Sequence, residues 1–167
     1  IEVALEYEIF CRKNGAEKLS FDPIVAFGSN TSMPHHKTGD KRLKKNDVVL
    51  VDIGTVYQSY HSDMTRMIFF GEMNGEVYEI YRVIRKAQKY ALSLCRDNMK
   101  IGKLFNETYK IIKRDHFLTH ALGHGIGLNT HEFPRISNRG EDKDEYLLEN
   151  MVVTIEPGLY KEGEFCI

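Results

Sequence analysis

Cysteine is scarce in this chain, with only three among its 167 residues. Cys11, Cys95 and Cys166 are odd in number and far apart, and they form neither a C-x-x-C pair nor the spacing of a zinc finger. A disulfide framework needs paired cysteines, and a thiolate metal site needs them close together. We therefore expect reduced thiols and a cytoplasmic protein.

Long apolar runs and a charge excess are also absent. The longest aliphatic run, Val48 to Val51, stops at Asp52, so no segment is long enough to span a bilayer. The 23 basic and 24 acidic side chains give a net charge of −1, which excludes a globally basic nucleic-acid binder. No basic stretch followed by an apolar core opens the chain, so we do not expect a secretory signal. Neither a membrane nor a nucleic acid is an expected partner.

The chain length predicts one domain, since 167 residues can bury roughly 70% of their unfolded surface without disulfides. The first residue, Ile1, already lies inside an amphipathic pattern, and the last, Ile167, lies inside what the pattern predicts to be a strand. We therefore expect a domain that is cut at both ends.

Apolar periodicity predicts both helices and strands. Helical spacing covers residues 1–14, about 74–96 with Asn74 as its N-cap, and roughly 103–114. Strand patterns cover residues 24–28, 47–56, 64–70 and 151–157. We expect 47–56 and 64–70 to pair as a hairpin, and the glycines of 117–131 to exclude a helix there. This mixture is typical of an α+β fold.

Two aspartates mark the ends of the predicted hairpin strands. Asp52 interrupts an apolar strand, where a carboxylate is costly unless it is paired, hydrogen-bonded or bound to a metal. Taken alone, Asp52 is better explained as a strand-end residue whose oxygens accept hydrogen bonds from turn amides. Asp63 changes this interpretation, because hairpin pairing would bring it close to Asp52, and a divalent cation relieves the repulsion between two carboxylates.

His124 and Glu156 extend the same pattern. His124 is flanked by glycines that allow close backbone approach, and Glu156 ends another apolar strand. A lone histidine is usually a structural or surface residue, but carboxylates together with imidazole suit Mn, Co, Zn or Fe. The residues following His131 lack the second histidine of a zincin motif, and Gly-x-Gly-x-Gly has the wrong spacing for a dinucleotide fingerprint.

Three motifs together resemble those of the pita-bread metallopeptidases, the group of methionine aminopeptidases, aminopeptidase P and proline dipeptidase. These are VDIG with SDMTR around Asp52 and Asp63, HALGHGIGLNTHEFP from His120, and MVVTIEPGLY around Glu156. The resemblance runs in order along residues 1–167. It implies a mixed, curved antiparallel sheet with helices on its outer face. It also implies a catalytic domain that lacks the family's N-terminal domain and final C-terminal strands.

The resemblance also implies a role for each motif residue. Asp52 would chelate one divalent metal, Asp63 would bridge two, and His124 and Glu156 would hold the second. A fifth ligand, a bridging Glu, is expected just beyond Ile167, so we expect the site to be incomplete in this span. Manganese is the favoured metal, with cobalt and zinc as alternatives. The Asp115–His116 connection is short for the family, and we expect a longer loop near it.

The implied reaction is hydrolysis of an N-terminal peptide bond by a water that bridges the two metals. Glu156 would shuttle the proton, His131 would support the tetrahedral intermediate, and His35 would contact the scissile amide. His35 in SMPHH matches the family histidine, whereas His36 does not. The substrate would be a peptide, and the family suggests a homodimer.

His120 favours one branch of the group. An HxxxH pattern before GIGL resembles the Xaa-Pro peptidases, in which the earlier histidine helps to receive the proline end of the substrate. The alternative for His120 is a purely structural role, as a strand histidine hydrogen-bonded to backbone. For the chain as a whole, the alternatives are a methionine aminopeptidase, a non-catalytic pita-bread binding module and a metal-free relative resembling creatinase. The retained ligands argue against the last two.

Overall fold

The structure is a computed structural model that describes residues 1–112 and 120–167. In these residues, three α-helices span Glu2–Lys13 (α1), Gly75–Leu94 (α2) and Ile101–Ile112 (α3). The strands are β1 (Lys18–Leu19), β2 (Ile24–Phe27), β3 (Asp47–Ile53), β4 (Thr55–Tyr57), β5 (Tyr60–His61), β6 (Met64–Phe70), β7 (Met99–Lys100), β8 (Gly123–Gly125), β9 (Glu132–Ile136), β10 (Tyr146–Leu147), β11 (Tyr160–Lys161) and β12 (Phe165–Cys166). No helix in the described ranges is both long and apolar enough to cross a membrane.

The largest sheet has the order β2-β3-β6, and both of its pairings are antiparallel. The pairing of β3 with β6 confirms the predicted hairpin and sets Asp52 opposite Thr65. The predicted strand 47–56 is divided at Gly54, where a Cβ would overlap the carbonyl oxygen of Ser62. After Gly54 the chain enters a second sheet, of order β1-β4-β5. This break places Asp52 just before the bend and Asp63 just before the returning strand.

Helix α2 begins where the sequence predicts, because the Asn74 side chain accepts a hydrogen bond from the Glu76 amide at 2.8 Å. Its apolar stripe lies between two groups of buried side chains. One group consists of Val77, Ile80, Ile84, Ala87, Ile112, Leu159, Phe165 and Ile167. The other consists of Ala91, Met99, Ile101, Leu104, Leu122, Ile136, Leu147 and Ile155. The helix therefore supports both the C-terminal hairpin and the segments around residues 122 and 155.

Replacing Asn74 with alanine is expected to lower the free energy of unfolding by about 1 kcal/mol, because an amide of the first helical turn loses its acceptor. Urea unfolding followed by circular dichroism would measure the difference. Asn74→Asp is the control, since aspartate caps equally well and should unfold as the parent does. Equal stability of the alanine variant and the parent would show that this cap contributes nothing.

Helix α3 begins earlier than the predicted residue 103. Ile101 is fully buried, and its amide donates to the Glu145 carbonyl at 2.9 Å, which anchors the first turn. The predicted end of this helix, 114, and the Asp115–His116 connection lie outside the described residues.

The prediction of a regular strand over residues 151–157 is wrong. This segment is extended beside β8, but it forms only an isolated bridge, between Val153 and Gly125. Each facing pair forms one backbone hydrogen bond where a regular ladder would form two: the Ile126 amide donates to Val152, the Thr154 amide to His124, and the Glu156 amide to Leu122. The reciprocal donor, the His124 amide, bonds instead to the Thr154 hydroxyl at 3.0 Å. The Thr154 hydroxyl thus takes the place of a backbone carbonyl as the acceptor for the His124 amide.

Candidate active site

Four carboxylate and imidazole side chains come together from three distant parts of the chain. Asp52 is the penultimate residue of β3 and Asp63 precedes β6, while His124 lies in β8 and Glu156 lies in the extended segment beside β8. All four line one open cleft of about 2090 Å³. The predicted histidines His35, His120 and His131 line the same cleft.

Asp52 and Asp63 are close enough for their charges to interact. Burial, followed by the neighbouring negative charge of Asp63, raises the pKa of Asp52 to about 6. The Thr65 hydroxyl opposes this shift by donating to Asp52 Oδ1 at 3.0 Å, and Glu156 adds further negative charge. A carboxylate pair under this repulsion is a favourable place for a cation.

His124 is the centre of the group. Its Nε2 lies 3.4 Å from Asp63 Oδ2 and 3.3 Å from Glu156 Oε1. Its Nδ1 lies 2.8 Å from the Gly125 carbonyl, which can only accept, so Nδ1 carries a hydrogen and Nε2 faces the acids. Burial lowers the pKa of His124, but hydrogen bonds to Asp63 and Glu156 outweigh burial and raise it to about 10.

Glu156 is held from two sides. The Thr154 hydroxyl donates to its Oε1 at 2.7 Å, and His124 contacts the same oxygen. Burial raises the pKa of Glu156, but the hydrogen bonds from His124 and Thr154 outweigh that effect, and the net pKa is lowered. Glu156 is therefore a carboxylate near neutral pH.

The donor types of this site, and the two contacts of His124, are compatible with a divalent metal ion. Two ligand atoms each ~2.0–2.1 Å from a tetrahedral ion are roughly 3.3 Å apart, which matches the contacts of His124. A histidine that binds metal through Nε2 usually donates Nδ1–H to a carbonyl or carboxylate, as His124 does. Among the described residues, no group of three or more His, Cys, Asp or Glu side chains is positioned to hold a metal ion.

His120 lines the same cleft as the three acids and the imidazole of His124. Its Nδ1 is 2.6 Å from the Ala121 carbonyl, and its Nε2 is 3.1 Å from the Tyr160 hydroxyl. The two rings meet edge to face with centroids 5.5 Å apart. The bond to Ala121 is the one expected if His120 were only a strand histidine hydrogen-bonded to backbone. Its second nitrogen, however, contacts the aromatic residue Tyr160 in the cleft.

His131 and His35 are exposed on the cleft wall. The centroid of the His131 ring lies 4.4 Å from that of His124. His35 follows the 3₁₀ turn of Gly28–Ser32, in the loop after β2. Its neighbour His36 is half-buried, and its Nε2 lies 3.5 Å from the Asn30 side-chain amide.

Sequence reasoning missed two residues of this site, Thr154 and Tyr160. Thr154 could have been found, because residues two apart in an extended segment share a face, so a threonine at 154 accompanies Glu156. Tyr160 gives no such signal. Its contact with His120 depends on the fold of the hairpin β11–β12.

Comparisons with known proteins agree with this geometry. The sequence model of metallopeptidase family M24 matches residues 1–167. The Xaa-Pro dipeptidase of Pyrococcus furiosus is 43% identical over 163 residues, which cover 95% of this chain and 46% of that protein. The chain therefore spans about half the length of the curated relatives it matches.

Solved structures show the same likeness. The prolidase from Pyrococcus furiosus matches with a TM-score of 0.94 and 40% identity, over 99% of this chain and 49% of that one. The X-Pro aminopeptidase from Thermotoga maritima MSB8 matches with a TM-score of 0.93 and 40% identity, over 99% of this chain and 47% of that one. These matches confirm the predicted α+β class and the pita-bread fold.

Proposed function

Because the chain belongs to metallopeptidase family M24, we propose that its protein hydrolyses N-terminal Xaa-Pro peptide bonds, with residues 1–167 as part of the catalytic domain. Membership of this family implies divalent metal ions as cofactors and a peptide as substrate. The observation that carries the proposal is the contact of His124 Nε2 with both Asp63 and Glu156, beside Asp52 and in the same cleft as His120.

Four described residues would hold the metal. Asp52 and Asp63 would hold one ion, and Asp63, His124 and Glu156 would hold a second. The mixed carboxylate and imidazole donors, without a thiolate, favour manganese, with cobalt or zinc as alternatives. Two bound ions would polarise the substrate carbonyl and lower the pKa of water toward about 7.

We propose a Glu beyond Ile167 as the fifth ligand. Tyr160 pairs with Cys166, and Leu159 exchanges both backbone hydrogen bonds with Ile167. If that register continued, the third residue after Ile167 would lie opposite Glu156. A carboxylate there would be directed toward the same cleft.

The remaining roles follow from what each side chain can donate or accept. Glu156 is ionised, so it can take a proton from attacking water and pass it to the leaving nitrogen. His131, beside His124, would donate a hydrogen bond to the developing oxyanion. His35 would contact the scissile amide from the opposite loop.

His120 and Tyr160 support specificity for proline. In the neutral tautomer whose Nδ1 donates to the Ala121 carbonyl, His120 Nε2 accepts from the Tyr160 hydroxyl, and the two hydrogen bonds hold the ring in one orientation. The edge-to-face pair presents a rigid aromatic surface to the cleft. Aromatic surfaces are a recurring means of binding proline rings.

The experiment that tests this function uses the full-length protein with Mn or Co and three peptide types: Xaa-Pro, Xaa-Pro-Yaa and Met-Ala-Yaa. We expect hydrolysis of proline-containing peptides, lost on chelation and restored by metal. Cleavage of Xaa-Pro alone would indicate a dipeptidase, and cleavage of Xaa-Pro-Yaa an aminopeptidase P type. Cleavage of Met-Ala-Yaa alone, or of no peptide by the metal-loaded protein, would overturn the proposal.

A further inference from the structure

We propose that Thr154 is a positioning residue, whose hydroxyl fixes Glu156 relative to His124 and so prepares two of the proposed metal ligands. This inference rests on the proposed metal site but not on the identity of the peptide substrate. It concerns a side chain that itself binds neither metal nor substrate.

The Thr154 hydroxyl lies between two functional groups. It accepts a hydrogen bond from the His124 amide at 3.0 Å and lies 2.7 Å from Glu156 Oε1. The hydroxyl has one hydrogen, and its other acceptor, the His124 carbonyl, is farther away at 3.4 Å. The hydrogen therefore goes to Glu156, and the hydroxyl links the backbone of one ligand to the side chain of another.

The backbone around Thr154 gives the hydroxyl its place. A regular antiparallel pair would exchange two backbone hydrogen bonds between His124 and Thr154. Only the bond from the Thr154 amide to the His124 carbonyl, at 2.8 Å, is formed. The neighbouring Gly123 lies so close to the Thr154 carbonyl that a Cβ would overlap it, and the shifted chains leave the second donor to the hydroxyl.

The oxygen that Thr154 binds is the one that faces His124. Glu156 Oε1 lies 3.3 Å from His124 Nε2, so the orientation of this carboxylate is set on one side by a neutral donor. Without the hydroxyl, the carboxylate loses one of the two contacts that orient it, and the partly buried His124 amide loses its acceptor. Partners that orient metal ligands in this way usually contribute 10–100-fold to metal affinity.

The test replaces Thr154 with valine and with serine in the full-length protein. Valine has the shape of threonine without the hydroxyl, whereas serine retains the hydroxyl. We expect Thr154→Val to weaken the binding of Mn or Co by about 10–100-fold in titration calorimetry and to change the visible absorption of bound Co. Thr154→Ser should bind metal within a few-fold of the parent. If a peptide is hydrolysed, kcat should fall in the valine variant with KM little changed.

Thr108→Val is the matched control, because Thr108 is buried in α3 and its hydroxyl donates only to the Leu104 carbonyl. It should leave metal affinity unchanged. Parent-like affinity and Co spectrum in Thr154→Val would overturn the proposal. Impaired binding in Thr154→Ser would also overturn it, even if the valine variant does not fold. Metal binding that depends on Thr154, with no Xaa-Pro hydrolysis by the parent, would refute the proposed function and leave this inference standing.

Discussion

Replacing Asp63 with asparagine is expected to abolish paired metal binding and to reduce peptide hydrolysis by about 10³-fold or more. Asp63 lies near both Asp52 and His124, and its side chain is only 14% exposed. Asparagine keeps the shape but removes the charge that would bridge two cations. Metal polarisation of a carbonyl supplies several kcal/mol to the transition state, which corresponds to a loss of about three orders of magnitude.

Titration calorimetry and metal analysis of the full-length protein would measure this effect. Asp22→Asn is the control, because Asp22 is an exposed carboxylate on the wall of the same cleft that is not among the proposed metal ligands. It should bind two metal equivalents as the parent does. Two tightly bound ions and full activity in Asp63→Asn would remove Asp63 from the site.

The second large effect is expected from alanine at Gly123. A Cβ there would overlap the Thr154 carbonyl, and the contact is with backbone, which cannot move aside as a flexible side chain can. Relief of the overlap requires the segment 152–156 to leave β8, with loss of the hydrogen bonds between them. Overpacking costs 1–3 kcal/mol, and each lost hydrogen bond costs about 1 kcal/mol, so we expect a destabilisation of about 3–5 kcal/mol.

Gly75→Ala is the matched control for that substitution. A Cβ at Gly75 meets nothing within 4 Å, and the residue lies in the first turn of α2. Alanine in a helix is equal to or slightly better than glycine, so stability should be unchanged or slightly higher. Urea unfolding compares the two variants with the parent. Equal unfolding midpoints for Gly123→Ala and the parent would show that the close approach is not required.

The hairpin and helix α2 could be predicted because their signals are local. Apolar alternation in 47–53 and 64–70, and the Asn74 cap, are properties of neighbouring residues. The break at Gly54 could not be predicted, since it depends on the Ser62 carbonyl on the returning strand. Residues 151–157 were predicted to be a regular strand for the same reason: their composition does not show that a threonine hydroxyl takes the place of a backbone acceptor.

In the candidate site, too, some residues can be recognised from the sequence and others only from the fold. Its charged members, Asp52, Asp63, His124 and Glu156, stand out because each interrupts an apolar or glycine-rich stretch. The contacts that orient them do not stand out, since Thr65 and Thr154 are ordinary strand residues by composition. Their importance depends on which oxygen or amide lies opposite, which only the paired backbone decides.

The gathering of the site from three distant segments has a consequence for the order of folding. His124 and Thr154 are 30 residues apart in the sequence, and the two aspartates belong to a hairpin that precedes both. Closing such long loops costs more conformational entropy than one contact between the segments offsets. We therefore expect these segments to come together late in folding. A metal ion would then meet a complete set of ligands only in the nearly native chain. Metal binding would therefore stabilise the folded state without accelerating the early folding steps.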